Sequence, residues 1–274
     1  MTFLQAVILG IVQGLTEFLP ISSSAHLVIV PFLLGWQIPA EQVFPFDVLV
    51  QMGTLLAVIV YFWQDLWAII KAFITGLVRL KPFADAQARL GWYLILATLP
   101  AVLFGLLVKD QVEAAFNSVA LTAGFLLLTA VFLMLAENYG RRARTLTTIT
   151  WLDALIIGLF QALSIFPGVS RSGSTLTGGM LRQFDRFAAA RFSFLMSIPV
   201  MLGAGALELK DLLEKPTWTS FWPLIAVGFA AAAVVGYLSI RWMLRYVMHH
   251  SLRSFAVYCS AIGVLTLVVH FLTQ

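Results

Sequence analysis

The chain has 274 residues, 61% of them hydrophobic and only 11% charged, with a mean hydropathy of +0.94 and a net charge of +4. Soluble domains sit near ~45–50% apolar and ~25% charged, so these numbers exclude a soluble fold and describe a polytopic membrane protein. The basic surplus does not indicate nucleic acid, because the lysines and arginines fall between apolar runs rather than in one patch.

The first apolar run, MTFLQAVILGIV, lacks a basic leader and a small-residue cleavage site, so it is not expected to be a removable signal peptide. It leads into QGLTEFLPISSSAHL, residues 13–27, which places Glu17, Ser22, Ser23, Ser24 and His26 where an apolar run would continue. A helix needs roughly 20 apolar residues to cross a bilayer, and six later segments qualify: 46–63, 90–108, 118–137, 187–207, 221–240 and 254–272. Segment 66–80 carries Lys71 and Arg79 among apolar residues and reads as an interfacial helix. The single cysteine, Cys259, sits in an apolar run and excludes a disulfide framework.

Loop charges orient the chain. Lys71, Arg79, Lys81, Arg89, Arg141, Arg142, Arg144, Arg241, Arg245 and Arg253 lie on one side, against Lys109, Lys210 and Lys215 on the other. The basic side is cytoplasmic.

Residues 8–27, ILGIVQGLTEFLPISSSAHL, and 156–175, IIGLFQALSIFPGVSRSGST, align without a gap. Gly10 matches Gly158, Gln13 matches Gln161, Thr16 matches Ser164, Phe18 matches Phe166, Ser22 matches Ser170 and Ser24 matches Ser172. Polar matches in register point to a duplication. Each copy reads as helix, break, helix, broken at Pro20 and at Pro167–Gly168, and neither trailing piece is long enough to span. The expected fold is all-α, with six full transmembrane helices plus two re-entrant helix-break-helix pairs in an inverted-topology repeat. It forms one membrane domain over 1–274, with a first repeat of about 1–110 (pair 4–35) and a second of about 150–250 (pair 152–183). An ordinary proline-kinked crossing is the competing reading, above all for Thr2–Leu19, which nearly spans by length.

Opposed hairpins would bring two helix N-termini together near the midplane, with Ser22, Ser23 and Ser24 at one and Ser170, Ser172 and Thr175 at the other. With the Arg171 guanidinium added, that constellation suits a phosphate group. Gln13 and Glu17 share one helix face leading into the serine turn. A carboxylate beside an anion site has a purpose if a divalent cation bridges the two or if the acid handles a proton. The bland alternative for the serines is interhelical glue, worth ~0.6 kcal/mol on average. Glue does not offset the ~2.5–3.5 kcal/mol cost of a charge at the helix centre, which leaves a purely structural Glu17–Arg171 pair as the rival for those two residues. An imidazole can titrate near neutral pH, which makes His26 a candidate acid-base group beside them. Asp153 is expected to favour the start of the second re-entrant helix. His249 and His250 read as solvated, His270 and Cys259 as structural.

QGLTEFLPISSSAH resembles the (Glu/Gln)-x-x-x-Glu segment of the undecaprenyl-pyrophosphate phosphatases of the bacitracin-resistance type. PGVSRSGST, 167–175, resembles that family's Pro-Gly-x-Ser-Arg-Ser-x-x-Thr motif, and AAARFSFLMSIPVMLGA, 188–204, is also similar. The resemblance implies a hydrolase that removes one phosphate from undecaprenyl pyrophosphate and recycles the lipid carrier of cell-wall synthesis. It implies a Mg²⁺ or Ca²⁺ cofactor and a prenyl pyrophosphate partner within membrane lipid. It also implies a bacterial cytoplasmic (inner) membrane location with the site open to the outer, periplasmic face. A homodimer is among the expectations, and nucleic acid is not. Carried over residue by residue, Glu17, His26, Ser23, Arg171, Ser172 and Thr175 fall on motif positions. Arg171, Ser172, Thr175, Ser22, Ser24 and Ser170 would hold the phosphates, and Glu17 the metal, with Gln13 as a second candidate. Some members carry a glutamate where Gln13 stands, so a scheme requiring both carboxylates is in doubt here. Three roles stay open: His26 as general base, His26 as covalent phosphoryl acceptor, or Ser23 as nucleophile. The reading from another class is a transporter or flippase for a prenyl phosphate or another anion, since inverted repeats with broken helices are also transporter features.

Overall fold

A computed structural model of the chain describes residues 1–214 and 218–273. Lys215, one of the three lysines expected on the outer side, lies outside the described residues. Among the described residues the fold is all-α, with twelve helices: α1 Phe3–Thr16, α2 Ser23–Leu33, α3 Ala40–Tyr61, α4 Trp63–Val78, α5 Ala86–Leu107, α6 Lys109–Phe116, α7 Val119–Tyr139, α8 Trp151–Leu163, α9 Arg171–Leu181, α10 Arg186–Leu213, α11 Trp218–His249 and α12 Arg253–Thr273.

Five of these, α5, α7, α10, α11 and α12, are long and apolar enough to cross a membrane, and each covers an expected span. The sixth expected span, 46–63, corresponds to α3. From Pro45 it runs to Tyr61, and α4 then turns away by 77°. By length and composition the two together make one broken span or a re-entrant turn, and Trp63 and Trp67 of α4 are exposed and stacked on one another.

The duplicated segments form two short hairpins, α1–α2 and α8–α9. At 1.5 Å per residue the 14-residue α1 reaches about 21 Å and the 11-residue α2 about 16 Å, short of ~30 Å of hydrocarbon. The start of α8 and the end of α9 are joined: Asp153 accepts from Arg182 Nε at 2.7 Å and from Arg144 Nη2 at 2.7 Å. The hydrogen bonds from Arg144, a loop residue, to Asp153 raise that guanidinium's pKa further, so it stays charged throughout the physiological range. This hairpin therefore returns to the end from which it came, the end that also holds Glu137 of α7 bonded by Arg186 of α10. The α1–α2 hairpin opens at the other end, where the Met1 ammonium donates to Gln42 Oε1 at 3.2 Å and Met1, Trp36 and Ile38 pack against one cluster with Ala6 of α1 and Phe221 at the start of α11. The two hairpins enter the bundle from opposite ends.

Their duplication extends to how they are seated. Thr2 and Thr150 both close capping boxes, with Gln5 and Asp153 respectively. Gly10 presses against α11 and Gly158 against α5; a Cβ would come within 2.4 Å of the Gly228 carbonyl oxygen in one case and 2.5 Å of the Ala97 oxygen in the other. Backbone approach this close requires glycine.

Candidate active site

Each hairpin tip contains a proline, Pro20 in one and Pro167 in the other. A proline at position i has no N–H for the carbonyl at i−4 and its ring clashes with that carbonyl. Thus α1 ends at Thr16, four residues before Pro20, and α8 ends at Leu163, four before Pro167. The sequence places the breaks at the prolines themselves; the helices stop one turn earlier. The trailing helices restart at serine caps, Ser22 Oγ accepting from Ala25 N at 3.2 Å and Ser170 Oγ from Gly173 N at 3.1 Å. Ser22 holds φ at 68°, a strained value for a residue with a side chain. Gly168 holds φ at 103° and lies so close to α7 that a Cβ would come within 2.2 Å of the Thr122 carbonyl oxygen. Thr129 of α7 staples this tip, donating to the Gly168 carbonyl at 2.9 Å and accepting from Ser170 N at 2.8 Å.

Glu17 is the hub between the tips and is 5% exposed. Its Oε1 accepts from Arg171 Nη2 at 2.7 Å, and its Oε2 accepts from Gln13 Nε2 at 2.7 Å and Ser23 Oγ at 2.5 Å. A carboxylate only accepts, so Gln13 must turn its NH₂ to Glu17 and its Oε1 away. That Oε1 is buried without a partner, as is Arg171 Nη1. A partly buried guanidinium with a spare donor is suited to an anion.

The remaining predicted residues divide. Ser24 and Ser172 tie tip to tip, Gly168 N donating to Ser24 Oγ at 3.4 Å and Ser172 Oγ to the Leu19 carbonyl at 2.9 Å. Ser22 lies 3.2 Å from Ser24 and Ser170 3.2 Å from Ser172, Oγ to Oγ. Thr175 Oγ1 donates to the Arg171 carbonyl at 2.7 Å and bonds Ser193 of α10. His26 is buried one turn into α2, with Nδ1 2.7 Å from the Ser22 carbonyl and Nε2 2.8 Å from the Tyr258 hydroxyl. Both ring nitrogens are thus directed to partners other than Glu17 and Arg171. Gln161, the counterpart of Gln13, donates to the Ala97 carbonyl instead.

Asp47 of α3 is the residue the sequence reading missed. It is 1% exposed, its Oδ1 has no partner, and it lies close enough to Glu17 for the two carboxylates to repel. Asp47 stands at the start of the 46–63 span, where a charge costs less than at the helix centre, so it is a weaker mark in the sequence than Glu17. Tyr258, Thr129 and Ser193 left no comparable mark in the sequence.

Residues 6–265 match the family model of the bacitracin resistance protein BacA. An undecaprenyl-diphosphatase of Thermomicrobium roseum is 46% identical over 275 residues, covering 97% of this chain and 98% of its own. Those of Myxococcus xanthus, at 43% over 98% and 89%, and Chlorobaculum tepidum, at 44% over 96% and 95%, are similar over comparable lengths. With both tip motifs and nearly the full length inside the match, the chain belongs to the BacA family of bacitracin resistance proteins.

Proposed function

We propose that this chain hydrolyses undecaprenyl diphosphate to undecaprenyl phosphate and inorganic phosphate, the activity for which its relatives are named. The observation that carries this reading is the meeting of the two tips at Glu17 and Arg171. A buried charge pair, a spare guanidinium donor and two helix N-termini form a cradle for a diphosphate among apolar helices that suit a prenyl chain.

Phosphoryl transfer is chiefly positioning and charge stabilisation. Arg171 would turn Nη1 to the terminal phosphate while the N-termini of α2 and α9 face it. Ser23, already donating to Glu17, is the nucleophile this geometry favours: its oxygen attacks the terminal phosphorus, its proton passes to Glu17, and the anhydride bond to the prenyl phosphate breaks. Water then attacks the seryl phosphorus and gives a proton to His26 as the bond to the Ser23 oxygen breaks; Glu17 returns its proton to that oxygen, and inorganic phosphate leaves with the proton His26 took up.

A divalent cation fits the residues present. Among the described residues no three His, Cys, Asp or Glu side chains gather as a metal cluster. Mg²⁺ nevertheless takes one or two carboxylates together with substrate oxygens, and Glu17, Asp47 and the unpartnered Gln13 Oε1 are hard oxygen donors of that kind. Such a cation would neutralise charge on the diphosphate. With the arginine-rich end in the cytoplasm, the α1–α2 hairpin opens to the outer face of the cytoplasmic membrane.

The test is release of free phosphate from prenyl diphosphate by detergent-purified protein, with Mg²⁺ or Ca²⁺ and with chelator. Detergent abolishes vectorial transport and leaves hydrolysis intact. Turnover that falls 10²-fold or more in Arg171→Ala is the expected result; a wild-type protein that releases no phosphate, or an unimpaired Arg171→Ala, contradicts the reading.

A further inference from the structure

His26 makes two ring contacts that together fix its chemistry. The Ser22 carbonyl, 2.7 Å from Nδ1, can only accept, so Nδ1 carries a hydrogen. In the neutral ring Nε2 is then the sole lone pair, and it faces the Tyr258 hydroxyl at 2.8 Å, which must donate to it. The two rings are nearly parallel, inclined by 7° with centroids 5.7 Å apart. Tyr258 reaches His26 from α12, the last helix, and its neighbour Cys259 packs its sulfur 3.7 Å from the Pro20 carbonyl. Successive residues of α12 therefore grip both the tip and the histidine. Tyr258 is 39% exposed whereas His26 is 6% exposed, so the phenol bridges the buried imidazole and the outside of the bundle.

We infer that Tyr258 is a positioning residue for His26: its hydroxyl locks the Nδ1–H tautomer and holds the one basic lone pair of the ring. This rests on the reading of His26 as the group that manages a proton.

The experiment compares Tyr258→Phe, His26→Ala and the double variant of the full chain in detergent. Prenyl diphosphate hydrolysis is measured, together with ¹⁵N NMR of histidine-labelled protein. The His26→Ala spectrum identifies the His26 signals among the four histidines. Tyr258→Phe is expected to lower kcat about tenfold with KM changed less than twofold. It should also move the Nε2 resonance toward that of a lone pair without a hydrogen bond. In the His26→Ala background the same change should cost nothing further. Should Tyr258→Phe lower the unfolding midpoint, the nitrogen signature of the folded protein still decides. An unshifted Nε2 resonance, or wild-type kcat in Tyr258→Phe while His26→Ala is inactive, overturns the Tyr258 assignment alone. Full activity in His26→Ala overturns the reading of His26 and this inference with it.

Discussion

Glu17 and Arg171 lie in apolar surroundings at a cost of several kcal/mol if either stood alone. Each is held by the other across 154 positions of chain. Both were legible in the sequence because a charge inside an apolar run has no cheap explanation. Asp47 stands at the start of a run still apolar enough to read as a plain span, so its charge is less conspicuous. Tyr258 and Thr129 were not legible at all, because an aromatic or a hydroxyl on a membrane helix looks alike whether it faces lipid or a buried imidazole. At this scale Asp47 carries a prediction. Replacing Asp47 by Asn removes one oxygen charge beside Glu17 and should weaken Mg²⁺ or Ca²⁺ binding about tenfold, read as loss of cation-induced thermal stabilisation. Stabilisation by the cation equal to wild type would remove Asp47 from the proposed set.

The hairpins show what an element-level reading captures and where it stops. The duplicated pattern pointed to a break in each copy, and the short trailing pieces favoured a hairpin over a proline-kinked crossing. The helix ends at Thr16 and Leu163 lie one turn before the prolines because the lost hydrogen bond belongs to the carbonyl four residues back. The second tip depends on Gly168, where φ is 103° and α7 leaves no room for a methyl group. Gly168→Ala should destabilise the protein by several kcal/mol through strain and overpacking combined. Gly203→Ala, at a helical glycine whose Cβ would meet nothing within 4 Å, should be nearly silent. Unfolding midpoints in detergent compare the two; equal behaviour would mean that the tip is not packed as described.

At the scale of the molecule, two copies of one hairpin inserted from opposite ends build a single site that neither contains. The loop charges made this arrangement legible, since ten basic residues against three fix which end each hairpin enters. What the charges did not disclose is the clamp at the arginine-rich end. There Glu137 accepts from Arg142, Arg186 and the Leu252 N–H, tying α7, α10 and the start of α12 together. The sequence shows Glu137 only as the last residue of a span. Orientation is testable with single cysteines in a Cys259→Ala background, using the exposed positions Gln37 and Ala143. A membrane-impermeant maleimide on intact cells should label Gln37→Cys and reach Ala143→Cys only after permeabilisation. The reverse pattern would invert the assigned sides.

The claim on which the rest stands is that Glu17 and Arg171 meet as one buried pair between the tips. A double-mutant cycle tests it directly, with unfolding free energies measured in detergent for wild type, Glu17→Gln, Arg171→Gln and the double variant. Each single change leaves a buried charge without its partner, and the second change relieves it, so the two should couple by at least about 1 kcal/mol. Strictly additive losses would place the two side chains apart and contradict the site.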